Sequence, residues 1–347
     1  MRTMPDNRRP EHIAALRRAL LLCRQATRQQ LAAETGLSAM TVGKLLGEMT
    51  ARGEVRQIRT QSQGSGRPSV IAEYNGDYAH FAAIVVEQRE GRSAFTLSVV
   101  NLFGETVIRE TLLLDETRAD SFDDFFARMI AAGYRLRLAV LVLPGVAEGE
   151  EMLLCDFEDL VRGQVLHRIR RLFGVEVLFE NDVNAAVFGH GFEAADEVCA
   201  GIYFPRRYCP GAGVVVRGEI LHGHRRFAGE VPYIQGAERW AALDYGDVPT
   251  TAEMISQLLV VYACTVAPGR MVLYGDFFTP ALEAAIRARF AEKMLGRFDL
   301  TLTCQDAIAQ DQARGACRLG LRRMLELLDS EEGLLLINKN CYSDSQL

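Results

Sequence analysis

The sequence predicts an α+β and α/β multidomain chain: a small winged helix-turn-helix over 1–78, followed by a larger mixed body over 79–347. Three observations carry this expectation. The 347 residues leave room for two or three domains. Charge is unevenly spread: positions 1–75 hold twelve Lys/Arg against six Asp/Glu, whereas the whole chain has a net charge of −6. Hydrophobic spacing also changes along the chain, from helical to alternating near residue 55, and then to strands interleaved with helices.

Composition excludes several classes. Hydrophobic residues make up 49% and charged residues 24%, ordinary globular usage. The longest apolar runs, such as Leu138–Val146, fall far short of the roughly 20 residues that span a bilayer, and no membrane partner is expected. Met1 to Pro10 carries Arg2, Arg8 and Arg9 without an apolar stretch and cleavage site, so a cytoplasmic location is expected. The eight cysteines are scattered without a Cys-x-x-Cys pair, which suits reduced thiols better than a zinc cluster or a disulfide framework.

In the N-terminal part, Ile13, Leu16, Leu20 and Leu21 mark a first amphipathic helix over Glu11–Arg24. Thr27, followed three residues later by Gln30, is a capping box that opens a second helix, and Gly36 ends it. Ser38 caps a third, with Val42, Leu45, Leu46 and Met49 inward. That leaves Ala39, Met40, Thr41 and Lys44 for solvent or the major groove of DNA, with Ser38 at the helix start. Val55 and Ile58, then Val70 and Ala72, form two strands around the tip 61–68. There Gly66-Arg67-Pro68 offers Arg67 on extended backbone, suited to a narrow minor groove. The sites expected to touch a duplex DNA operator are therefore Ser38, Ala39, Met40, Thr41, Lys44 and Arg67. A single small module reads few base pairs, so a homodimer or dimer of dimers is expected.

The body opens as a β-meander, Phe81–Glu87, Ala94–Asn101 and Thr106–Leu114, with a turn at Gly104. Helix Ser121–Ala132 and strand Leu138–Leu143 follow. Val177-Leu178-Phe179-Glu180-Asn181-Asp182-Val183-Asn184 drives a buried strand into a polar helix start. Gly211–Gly218 leads through Leu221-His222-Gly223 into Ala228-Gly229-Glu230. His222-Gly223-His224 alone reads as ordinary surface residues rather than a metal site.

With the upstream winged helix, these segments resemble the ROK family of repressors and sugar kinases, from about residue 11 to about 325, ending in Pro268–Asp276 and a Gly315-Ala316-Cys317 helix start. The resemblance implies a two-lobed, actin-like (ribonuclease-H-like) ATPase fold with sugar in the cleft. By it, Asp182 stands where the kinases keep a general base and Asn181 where they bind sugar. Pro144 and Gly145 match a strand-end loop, and Glu230 a sugar-binding glutamate. Read from the residues alone, Asn181-Asp182 serve equally well as a helix cap and Glu230 as a structural carboxylate.

Departures from the family pattern are as informative. Val86–Arg92 and Arg207-Tyr208-Cys209-Pro210 replace the two phosphate loops, and a proline has no N–H to offer. Pro232-Tyr233 replaces the Gly-His that supplies a zinc histidine, and no cysteine lies between Cys209 and Cys264. The reading is a DNA-binding regulator, in character a repressor, of carbohydrate-related genes, with no catalytic residue, metal or other cofactor. Its sensor would take a sugar or phosphosugar at Pro144, Gly145, Asn181, Asp182, Glu230 and Tyr233. The alternative is a ROK-type sugar kinase with an accessory DNA-binding head.

Overall fold

The computed structural model describes residues 9–59, 70–89, 92–149, 151–191, 198–206 and 208–330. Its N-terminal part comprises α1 (Arg9–Cys23), β1 (Gln25–Thr27), α2 (Arg28–Thr35), α3 (Ala39–Ala51), β2 (Val55–Arg59) and β3 (Val70–Tyr74). The caps sit where the sequence places them. Thr27 Oγ1 accepts from the Gln30 N–H, Gln30 Oε1 accepts from the Thr27 N–H, and Gly36 closes α2 at φ +69°. Ser38 Oγ accepts from the Thr41 N–H. Val42, Leu45, Leu46 and Met49 form the buried face of α3, and Met40 is fully out in solvent. Helix α1 starts at Arg9 and ends at Cys23, slightly earlier at both ends than its apolar spacing suggests. The sequence reading missed β1, a three-residue strand that pairs antiparallel with β3 and completes a sheet in the order β1-β3-β2. So short a strand carries no periodicity of its own. The tip 61–68, with Arg67, lies outside the described residues.

The body is built from two sheets of the same plan. In the first, β4 (His80–Arg89), β5 (Arg92–Asn101) and β6 (Thr106–Leu114) form the expected antiparallel meander. Helix α4 (Asp123–Ala131) leads to β7 (Leu136–Leu143), parallel to β4. A hairpin of β8 (Gly145–Glu148) and β9 (Glu151–Cys155), with α5 (Glu158–Arg162) and α6 (Val165–Phe173), leads to β10 (Glu176–Asn181), parallel to β7. Helix α7 (Asp182–Gly189) then crosses to the second sheet. This begins with the meander β11 (Val198–Tyr203), β12 (Gly211–Val216) and β13 (Glu219–Ile220). Short helices α8 (Pro232–Gln235) and α9 (Ala237–Ala241) precede α10 (Val248–Thr265). Strand β14 (Arg270–Tyr274), helix α11 (Pro280–Lys293) and strand β15 (Thr301–Gln305) follow, and α12 (Ala309–Asp329) returns to the first lobe. The orders are β10-β7-β4-β5-β6 and β13-β12-β11-β14-β15, a three-strand meander extended by two parallel strands each time.

Both faces of the central strands are covered, as their near-continuous apolar sequence requires. In β4, Ala82, Ile84 and Val86 face the cluster made with α4–α6, while Phe81, Ala83 and Val85 join the inner core with α7 and α12. The second sheet puts Ala200, Ile202, Met271 and Leu273 against α10 and α11. Gly315-Ala316-Cys317 does not start a helix; it lies within α12, which begins at Ala309. Glycine there serves packing. A Cβ on Gly315 would lie 1.9 Å from the Ala185 carbonyl oxygen, and one on Gly189 would lie 2.0 Å from that of Asp311, so α7 and α12 meet backbone to backbone.

The inner core continues without a break from the N-terminal helices into the body, through Tyr74, Tyr78 and Ala79. At that junction Arg17, almost fully buried, donates to Glu54 Oε1 at 2.6 Å and pairs with Asp329 at the end of α12. The Tyr74 hydroxyl donates to the same Glu54 at 3.2 Å. Arg24 lies 4.4 Å over the Phe103 ring and pairs with Glu105, a second bond between the two parts.

Three stability outcomes follow from this packing. Gly315→Ala costs about 1–3 kcal/mol in urea unfolding by forcing α7 from α12. Gly47→Ala, where a Cβ meets nothing within 4 Å, is neutral or stabilising by up to about 1 kcal/mol. Arg17→Ala removes the buried guanidinium that bridges Glu54 and Asp329, leaves them only the more exposed Arg52 and Arg18, and costs up to about 3–5 kcal/mol in the same measurement.

Candidate functional site

The parallel strands of both sheets point their C-terminal ends into one crevice, where ligands collect in open α/β sheets. The cleft there has a volume of about 730 Å³, within the usual range for small-molecule sites. Strand β7 delivers Pro144; β9 delivers Asp156 and Phe157; β10 and α7 deliver Asn181 and Asp182. From the second lobe come Tyr203–Arg206 after β11, Tyr208–Gly211 before β12, Asp276 after β14, and Asp306–Gln312 around the start of α12.

Of the sugar-site residues expected from the sequence, Pro144, Asn181, Asp182 and Glu230 line this cleft. Gly145 lines a smaller recess behind Asn181, together with Glu180 and Arg226. Tyr233 lines neither. It is three-quarters exposed on α8 and packs against Phe227, because the short helix turns that side chain outward and presents Pro232 to the cleft instead. Glu230 is positioned by Gly229, whose φ of +102° and lack of a side chain let its carbonyl accept from the Ala212 N–H at 3.0 Å.

The two polar residues at the end of β10 do different things. Asn181 caps α7, its Oδ1 accepting from the N–H groups of Val183 (2.9 Å) and Asn184 (3.2 Å), while its Nδ2 donates to the Gly145 carbonyl at 3.3 Å. Asp182 is buried in the first turn of α7, and its carboxylate forms no hydrogen bond or ion pair with any described side chain. Burial pushes its carboxyl up to about 7 against the pull of the Val183 N–H, and the charge of Asp156 adds to the rise. Burial likewise raises Asp156 and Glu230 above the usual carboxylate range.

Glu180, near the end of β10, carries no motif of its own in the sequence, yet it ties the lobes together. Its buried carboxylate accepts from Asn184 Nδ2 at 3.0 Å and meets His222 Nε2 at 2.8 Å and Arg226 Nη1 at 3.8 Å. His222 is thus a half-buried partner of Glu180, unlike the ordinary surface residue its glycine-flanked setting suggests. Asp156 was also missed; only the return of the β8–β9 hairpin brings it beside Asp182.

The raised Asp182 sets a pH signature. Between about 4 and 7 the folded chain holds a proton there that the unfolded chain has lost, so its contribution to stability falls as pH rises through that window. Asp182→Asn removes this dependence. The variant's gain in melting stability over the parent grows from pH 4 to pH 7, levels off above, and is on the order of a few kcal/mol.

No family model matches the chain. In sequence it is 22% identical over 222 residues to the DNA-binding transcriptional dual regulator NagC of Escherichia coli (strain K12) and to the N-acetylglucosamine repressor of Shigella flexneri. Each match takes in 60% of this chain and 53% of the relative, so it spans about half the length of the curated relatives. In structure it is similar to a ROK family transcriptional regulator described as a homologue of the E. coli MLC protein, with a TM-score of 0.59 and 16% identity over 93% of this chain and 99% of that one. It is also similar to a ROK hexokinase from Thermus thermophilus, with a TM-score of 0.54 and 16% identity over 70% of this chain and 99% of the hexokinase. In fold, the chain is similar to ROK-family proteins, a transcriptional regulator and a sugar kinase among them.

Proposed function

We propose that this chain is a DNA-binding transcriptional regulator, a repressor in character, whose two-lobed body senses a small molecule in the cleft. The observation that carries the reading is α3: one face closes the core, and the other leaves Ala39, Met40 and Lys44 exposed beside the Ser38 cap. A second of two short helices joined through Gly36 and presented in this way has the form that enters a major groove. The three helices and antiparallel sheet support a winged helix-turn-helix over 1–78, with Arg67 at the wing and the sensor over 79–347. The repressor names of the relatives point the same way. A homodimer would present two heads to a palindromic operator, in the cytoplasm where the DNA lies.

The kinase reading has less support. Phosphoryl transfer rests on positioning and charge, and ATP phosphates need N–H donors and cations. This cleft is lined instead by Pro144, Pro205, Pro210 and Pro232 and by several carboxylates, and its residues do not fit that cofactor. Among the described residues, no group of three or more His, Cys, Asp or Glu could hold a metal ion.

The test is selection of genomic fragments by the full chain, followed by titration across a salt series. Specific binding that weakens with salt is expected, with sedimentation of the complex as a dimer on one site. Lys44→Ala lowers affinity about 10-fold or more and flattens the salt slope, and Arg67→Ala weakens A·T-rich flanks most. A chain that selects no fragment, or that forms sugar phosphate from magnesium-ATP in an Asp182-dependent way, overturns the reading.

A further inference from the structure

We propose that the cleft takes a small, unphosphorylated polyol bearing an ammonium group, in chemistry a free aminosugar, and turns away phosphorylated ligands; the proposal rests on the reading of this cleft as the effector site. The described lining carries five carboxylates, Asp156, Asp182, Glu230, Asp276 and Asp306, against the single guanidinium of Arg206. Arg206 is already engaged, its Nε donating to Asp276 at 2.7 Å. Among the described lining residues no unpaired cation therefore remains to meet a phosphate, and four prolines in the walls withhold backbone N–H groups of the kind that phosphate sites use.

The helix ends that open here are already spoken for. Asn181 caps α7 with Asp182 in its first turn, and Asp311, buried, occupies the first turn of α12, where it is bonded to Tyr274 and His190. In the recess behind Asn181, Arg226 faces Glu180. An added phosphate would meet like charge without a free cation among the described lining residues to compensate it.

Asp182 points to the positive ligand. It is nine-tenths buried, lines the cleft, and has no described side chain as partner. A buried carboxylate met by backbone N–H groups and no cation is costly, and so is a neutral ligand that strips water from it and from neighbouring Asp156 without returning charge. An ammonium donates three hydrogen bonds and offsets that charge. A bare metal ion is the poorer answer, because no three acidic, His or Cys side chains among the described residues are grouped to hold one. Phe157, Tyr203, Phe204 and Tyr208 add aromatic walls, which suit an organic cation and the C–H faces of a pyranose. Free hydroxyls on the ligand find acceptors in Glu230 and in the carboxylates the ammonium leaves over.

Calorimetry on the full chain at neutral pH decides this, using the 2-amino forms of glucose, galactose and mannose, their parent hexoses, their N-acetyl forms and glucosamine 6-phosphate, with magnesium chloride as a separate arm. At least one aminosugar is expected to bind 10-fold or more tightly than its parent and its N-acetyl form, and glucosamine 6-phosphate more weakly than glucosamine. Asp156→Asn and Asp182→Asn, each checked for a cooperative melt, should each erase the preference for amine over hydroxyl. Equal or tighter binding of a neutral, acetylated or phosphorylated sugar overturns the proposal while leaving the cleft as an effector site. Magnesium binding that the sugars do not share, or an amine preference untouched in both variants, also overturns it. Absence of binding by every sugar overturns both the proposal and the reading beneath it.

Discussion

Everything in this molecule is referenced to the approach of α12 to α7. Two helices ordinarily stand 8–10 Å apart, and only glycines at the crossing allow backbones to touch. Gly189 and Gly315 face the carbonyls of Asp311 and Ala185, so the two helices form one rigid element between the sheets. Phe81, Val140 and Val142 on one sheet and Val272 and Tyr274 on the other share the apolar core packed around it. The cleft opens at one end of this element, at Asp182 and Ile308–Gln312; Asp329 holds Arg17 at the other. A helix of 21 residues is about 30 Å long. Its length thus joins the cleft to the N-terminal helices through a single continuous helix.

Polar chemistry collects where the regular structure stops. The central strands β7 and β14 are largely apolar because both faces are covered, and the residues just past the ends of β7, β10, β14 and β15, namely Pro144, Asp182, Asp276 and Asp306, lie outside the core and line the cleft. The division of labour at Asn181 and Asp182 is local physics: the cap needs a side-chain acceptor just before the helix, and Asn181 supplies it. Asp182 is left in the first turn, buried and bonded only by backbone N–H groups, which is why its carboxyl keeps a proton to higher pH than an exposed aspartate does. Glu180 completes the arrangement by binding the loop of His222 and Arg226 from the other lobe.

The expectations that hold are those written in local patterns. The capping box of Thr27 and Gln30, the Ser38 cap, the buried stripe of α3 and the meander all depend on residues close in sequence, so spacing alone reveals them. Those that fail depend on distant neighbours. Gly315 looks like a helix boundary because glycine disfavours helix interiors, and only the Ala185 carbonyl explains its place inside α12. His222 looks solvent-bound until Glu180 arrives from 42 residues away. Tyr233 looks like part of the sugar site by its place after Glu230, but two residues into α8 its direction is set by the helix, and it turns outward.

By itself the sequence determined the three N-terminal helices, the opening meander of the body, the basic N-terminal part and the apolar strands that run into polar residues, because propensity, periodicity and capping act over a few residues. The resemblance to the ROK family, carried by short local motifs, picked out Pro144, Asn181, Asp182 and Glu230 together, and all four line the cleft. The tertiary structure alone decided that Asp156 stands beside Asp182, that Glu180 binds across the lobes, and that Arg17 lies buried between Glu54 and Asp329. Those pairs lie far apart along the chain, and their energies arise from burial and charge that exist only once the lobes have packed.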